Sequence, residues 1–200
     1  LIYVNPEGPD GNPDPIAAAH DIRDTFARMA MDDEETVALI AGGHSFGKTH
    51  GACPLNTSSA QIWPDPLQDP ANPWPITACP NGTFTTGFEG FWTSKPNKWT
   101  NEYFQRLAQN KMNGERAAGG NIQYQHSGVH YKANETIMML PSDVSLLNDP
   151  VYKSWVVHFA AKFTSLTGAF QKAWYKLVTR DVGPIQRCLN VSFGGVYQLP

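Results

Sequence analysis

Two hundred residues, 41% of them hydrophobic, suffice for one large domain or two small ones around a sizeable core. A formal net charge of −3 at pH 7 offers no basic surface to nucleic acid or to an anionic membrane. No apolar run is long enough to span a bilayer and no segment has the pattern of a signal peptide, while the opening LIYVNPEGPDG, without Met, reads as the continuation of a longer chain.

Helical periodicity dominates. DPIAAAHDIRDTFARMAM places Asp14 as an N-cap and Pro15 at the first helical position, with Ile22, Phe26 and Met29 on one face. DDEETVALIAGGH begins with acids suited to a helix N-terminus. Its Val37, Ile40, Ala41 and His44 follow the i, i+3, i+4, i+7 rule, so His44 continues a buried face. Residues 53–98 are rich in Pro, Gly and Asn and lack that periodicity, as functional or inserted loops do. NDPVYKSWVVHFAAKF repeats the Asp-Pro start, with Val151, Trp155 and Phe159 in line. SLTGAFQKAWYKLVTRDVGP turns Phe170, Ala173, Trp174 and Leu177 inward and stops at Gly183-Pro184. The expected fold is mainly α with long irregular loops.

Cys53, Cys79 and Cys188 form neither a CxxC pair nor a zinc spacing. Cys53 and Cys79 bracket the Pro-rich loop, which suggests one disulfide and one free thiol. Sequons at Asn56, Asn81, Asn134 and Asn190 favour passage through the secretory pathway.

The segment LIAGGHSFGKTHGA, residues 39–52, carries the chemistry. A single histidine on an apolar helix face is ordinarily a hydrogen-bonded core residue. Gly42 and Gly43 change that expectation, because they strip side chains from the place where the His44 imidazole emerges. Neutral imidazole is a good iron ligand, and a haem is a flat plate that needs bare backbone beneath it. Lys48, Thr49 and His50 could then donate hydrogen bonds to the carboxylates at the plate's edge. A carboxylate on the second ring nitrogen would complete the site, and spacing alone does not choose which one.

ALIAGGHSFGKTHGA closely resembles the proximal-histidine helix of catalase-peroxidases, haem enzymes of the class I peroxidase group. The preceding segment from LIYVNPEGPDG onward is similar to the family's, and TTGFEGFWTSKPNKWTNEYF, MMLPSDVSLLNDPVYKSW and FQKAWYKLVTRDVGP match later landmarks in the same order. Residues 53–80 and 105–135 match weakly and would be lineage-specific loops. Together with the sequons, this pattern resembles the secreted fungal branch. The resemblance implies a haem-peroxidase fold binding haem b. It makes His44 the iron ligand, Asp143 the carboxylate that accepts its N–H, and Trp92 the tryptophan that shares that carboxylate. Thr86 matches a position at the mouth of the access channel near a haem propionate.

Tyr3 and Met29 match the pair that the family cross-links to a distal tryptophan, and Arg180 matches a mobile arginine that approaches the ionised adduct tyrosine. On their residue types alone these three read as a loop tyrosine, a core methionine and a helix-end cation. The resemblance further implies hydrogen peroxide and small one-electron donors as substrates, and a homodimer. It places the distal histidine, arginine and tryptophan on a helix upstream of Tyr3 and a second domain after Pro200. Residues 1–200 are therefore expected to form the proximal half of one domain, inactive alone.

Three rival readings differ in class. A monofunctional class I peroxidase would use His44 but not Tyr3 and Met29. A zinc site could be drawn from His126 and His130, although Gly128 and the alternation in NIQYQHSGVHY oppose a helix presenting both. A non-catalytic glycoprotein module is the third.

Overall fold

A computed structural model describes residues 14–49, 88, 90–116, 122–132 and 135–180. Tyr3, His50, Thr86, the three cysteines and the four sequon asparagines lie outside these residues. Six helices carry most of the described chain, together with a five-stranded sheet.

Helix α1 (Pro15–Arg28) starts where the sequence predicts, with the Asp14 carboxylate accepting the N–H groups of Ile16 and Ala17. Helix α2 (Asp33–Gly43) opens with a capping box: the Glu35 N–H donates to the Asp32 carboxylate, and the Asp32 N–H donates back to Glu35. Its Val37 and Ala41 are fully buried, and His44 forms its C-cap. Helices α3 (Glu102–Gln109), α4 (Pro141–Asn148), α5 (Pro150–Ala161) and α6 (Phe163–Thr179) complete the set. α1 packs on α4, α2 on α6 and α3 on α5 around one large apolar core.

The sheet is built from β1 (Lys48–Thr49), β2 (Gly90–Phe91), β3 (Met112–Arg116), β4 (Ile122–Lys132) and β5 (Glu135–Met139), in the order β1-β2-β5-β4-β3. β2 runs parallel to β5 with Phe91 opposite Ile137, and the other pairings are antiparallel. The expectation of a loop over residues 105–135 is therefore corrected. Most of that span is the end of α3 and the β3–β4 hairpin, whose alternation in NIQYQHSGVHY is a strand signal. His126 and His130 both sit on β4, and no group of three metal-ligating side chains occurs among the described residues. Nor is any described helix long and apolar enough to cross a membrane.

One residue on each of two helix faces departs from expectation. On α5 the buried set is Tyr152, Val156 and Phe159, whereas Val151 in the first turn is 46% exposed. Arg23 explains the difference, because its guanidinium lies 4.3 Å above the Tyr152 ring and binds Asp33 and Asp149 at 3.0 and 2.8 Å, drawing Tyr152 inward. On α6 Ala173 is buried with Phe170 and Leu177 packed beside it, as expected, and Leu166 and Ala169 join them, whereas Trp174 is 51% exposed. There α2 comes so close that small side chains hold the seam. A Cβ on Gly42 would sit 2.2 Å from Phe170 Cδ2.

Candidate functional site

Three neighbouring strands deliver three parts of one site. β1 begins four residues after His44, β2 runs directly into Trp92, and β5 leads through Leu140 into α4, which carries Asp143 at its third position. Pairing Thr49 with Gly90 and Phe91 with Ile137 therefore brings residues 44, 92 and 143 together. Ser45 ties the segment after His44 down by donating to the Thr100 carbonyl at 3.0 Å. Gly47 turns the chain with φ of +70°, where a side chain would be strained, and its N–H meets the Pro96 carbonyl.

Asp143 is fully buried, and both of its oxygens are doubly hydrogen-bonded. Oδ1 accepts from His44 Nδ1 at 2.8 Å and from the Tyr103 hydroxyl at 2.7 Å. Oδ2 accepts from Trp92 Nε1 at 2.8 Å and from the Leu140 N–H at 2.7 Å, the latter a reach-back bond at the start of α4. Burial pushes the Asp143 carboxyl up. The charge and hydrogen bond of His44, with the bonds from Tyr103 and Leu140, outweigh it and hold the carboxyl below its ordinary value. Burial first, then the charge of Asp143, push the Tyr103 phenol well above its own. Asp143 is thus an anion that only accepts, so the His44 proton resides on Nδ1.

Trp92 stacks on the His44 ring, with centroids 4.0 Å apart and planes inclined by 10°, and Tyr103 meets the ring edge-on at 5.9 Å. The imidazole has one fixed orientation and one fixed tautomer. Among the described residues its Nε2 has no hydrogen-bond partner, and the side chain is 26% exposed, so this nitrogen lies on the ring edge away from the buried anion. A Cβ on Gly43 would meet nothing within 4 Å.

An oriented imidazole with one nitrogen on a buried carboxylate and the other open is the donor set of a histidine-ligated metal centre. It fits a haem iron held from one side, with open backbone at Gly43 beside it. The fold and this arrangement of a histidine on a buried carboxylate define the class to which the chain is assigned. The pattern of the peroxidase family matches residues 4–162, and the chain belongs to that family.

Among curated relatives, the chain is 45% identical to "Catalase-peroxidase 1" of Burkholderia cenocepacia over 95% of its own length and 28% of that protein's. It is 46% identical to "Catalase-peroxidase" of Paraburkholderia xenovorans, and 45% identical to that of Pseudomonas entomophila, again over 95% of this chain and 27% of theirs. The chain thus spans little more than a quarter of the length of these relatives. All three are bacterial and lend no support to a fungal branch.

Other sequence-derived candidates are placed differently. The first glycine of the Gly42–Gly43 pair serves α6 rather than a ligand, and only Gly43 opens onto space. Thr49 Oγ1 donates to the Gly90 carbonyl at 3.2 Å, so its proton already holds β1 to β2. Lys48 Nζ lies 5.4 Å above the Phe91 ring. Met29 is the C-cap of α1, its side chain packed with Phe26 against Met31, Leu39 and Ala173. Arg180 donates to the carbonyls of Arg28 and Met29, which pins the end of α6 to the end of α1 and brings two of the singled-out residues together. Tyr103 escaped the sequence reading. The amphipathic run EYFQRLAQ marks it as core, but nothing in its spacing points to a carboxylate 40 residues further on.

Proposed function

We propose that this chain supplies the proximal side of a haem enzyme that consumes hydrogen peroxide, as a catalase-peroxidase oxidising one-electron donors and releasing dioxygen. The observation that carries the reading is the His44 Nδ1–Asp143 bond, which leaves Nε2 open on the ring edge away from the anion. Haem, when bound, supplies the redox chemistry that splits peroxide and withdraws electrons from donors. His44 Nε2 would hold the iron, Asp143 would keep the Nδ1 proton in place and enrich the ring, and Trp92 would share that carboxylate while shielding one ring face. Gly43 leaves room for the macrocycle. Tyr3, Met29 and Arg180 are assigned to the dioxygen-releasing branch, and Thr86 to the haem edge, on family resemblance, whereas Lys48, Thr49 and His50 are assigned to the haem edge as hydrogen-bond donors that follow His44 closely in sequence. A homodimer follows from the same resemblance.

The test uses the full-length protein, reconstituted with haem b, beside His44→Ala and Tyr3→Phe. The reading expects a Soret band that His44→Ala loses or shifts, and dioxygen release that collapses in Tyr3→Phe while dye oxidation survives. Unaltered spectra in His44→Ala would refute the ligand assignment. Dye oxidation without dioxygen in either protein would identify a monofunctional peroxidase. Placement outside the cell, in a secreted branch, rests on the four sequons and is tested by a mobility shift on glycosidase treatment of the protein from its native source.

A further inference from the structure

We propose that Tyr103 is a positioning residue for the iron ligand: its phenol O–H, bound to the same carboxylate oxygen as the His44 N–H, limits how much negative charge Asp143 lends to the imidazole. The proposal rests on the haem reading above.

Each carboxylate oxygen has about two lone-pair directions, and in Asp143 all are taken, two donors to Oδ1 and two to Oδ2. The allocation between oxygens is what matters. Trp92 and Leu140 occupy Oδ2, whereas Tyr103 competes with His44 for Oδ1 itself, at 2.7 Å against 2.8 Å. A phenol O–H on an ionised, water-excluded carboxylate makes a short, charge-assisted bond. Charge drawn toward that proton is withheld from the imidazole N–H, and a less polarised imidazole is a weaker donor to iron.

Tyr103 cannot turn away. It is wholly buried on α3, its ring lies edge-on against His44, and it meets Phe104 edge-on at 5.4 Å. Phe104 is in turn braced by Phe159 of α5 at 5.3 Å. A phenol that merely needed a partner for its own burial could take a backbone carbonyl, as Ser45 does. This one is directed at the oxygen that orients the ligand.

The experiment is Tyr103→Phe in the haem-loaded full chain, which keeps the ring and its edge contact and removes only the O–H. The ferrous iron–histidine stretch, by resonance Raman, is expected to rise, and the ferric/ferrous midpoint potential to fall. Incorporating 3,5-difluorotyrosine at position 103, a stronger donor of the same shape, should move both readings the opposite way, and it serves equally if the Phe variant fails to fold. The control is Tyr152→Phe on α5, which deletes a buried hydroxyl that has no hydrogen-bond partner among the described residues and should leave both readings unchanged. Stretch and potential unmoved in Tyr103→Phe, or moved no more than in Tyr152→Phe, would overturn the proposal and leave the haem reading intact. A wild-type chain that takes up no haem would instead overturn the haem reading, and the proposal with it.

Discussion

Two adjacent glycines at the end of α2 have opposite jobs, and one substitution at each separates them. Gly42→Ala would place a Cβ 2.2, 2.7 and 3.0 Å from Phe170 Cδ2, Cε2 and Cγ, so the ring must retreat about 1.2 Å before ordinary contact at 3.4 Å is restored. That retreat is obstructed, because Phe170 lies 4.7 Å from the Trp99 ring and 5.8 Å from Trp174. Trp99 is itself fixed by its Nε1–H to Thr167 at 3.0 Å. Overpacking of this kind costs about 1–3 kcal/mol, and exchanging Gly for Ala in a helix returns up to about 1 kcal/mol. The obstructed retreat puts this site in the upper part of that range, at about 2–3 kcal/mol, so the net loss is about 1–2 kcal/mol, read as a fall of roughly 0.5–1 M in the urea midpoint followed by tryptophan fluorescence. Gly43→Ala meets nothing within 4 Å and should leave stability unchanged or raise it by up to about 1 kcal/mol. Its effect should appear instead as faster loss of haem to a scavenging apoprotein. A Gly42→Ala chain as stable as the parent would refute the packing argument, and the reverse assignment of the two effects would refute the placement of the ligand face.

Asp143→Asn should destabilise the chain by about 2–4 kcal/mol, since an amide presents N–H groups to some of the four donors it replaces an acceptor for; chemical denaturation measures it. Trp92→Phe keeps a ring against His44 but removes the N–H to Oδ2, so a loss of about 1–3 kcal/mol is expected, together with slower dye oxidation in steady-state assays. Arg23→Met should cost about 1–2 kcal/mol near neutral pH by freeing Asp33 and Asp149. The hydrogen bond from Arg23 is the main reason the Asp149 carboxyl lies below its usual 3.8. That contribution is fully present above the unfolded value and vanishes as pH falls through the folded one. The gap between wild type and Arg23→Met should accordingly close below about pH 4 in acid titrations of stability, and a gap that widened there would refute it.

Local signals were legible in the sequence because they are encoded within a few residues. The Asp14–Pro15 and Asp149–Pro150 starts, the acids before α2 and the position of His44 at its end all follow from capping and period. The partners of His44 were not legible from spacing, since Asp143 lies 99 residues away and reaches the ring through strand pairing. Resemblance to a known family supplied Asp143 and Trp92. It could not supply Tyr103, whose role depends on which of two oxygens its hydroxyl meets. The inward placement of Trp174 and Val151 failed for a different reason. Apolar periodicity locates a stripe only to within about one residue, and the close approach at Gly42 and the pull of Arg23 on Tyr152 decided the rest.

The separation between His44 and Asp143 has a consequence in time. On a ribosome adding about 5–20 residues per second, the histidine emerges roughly 5–20 s before its carboxylate exists. Trp92 and Tyr103 also precede Asp143, by 51 and 40 residues, so every side-chain donor is waiting when the acceptor arrives. Until then the imidazole has no preferred tautomer and no fixed plane. On the proposed haem reading, cofactor capture would be deferred until α4 has docked, and acquisition of iron would report that the two distant parts of the nascent chain have already found each other.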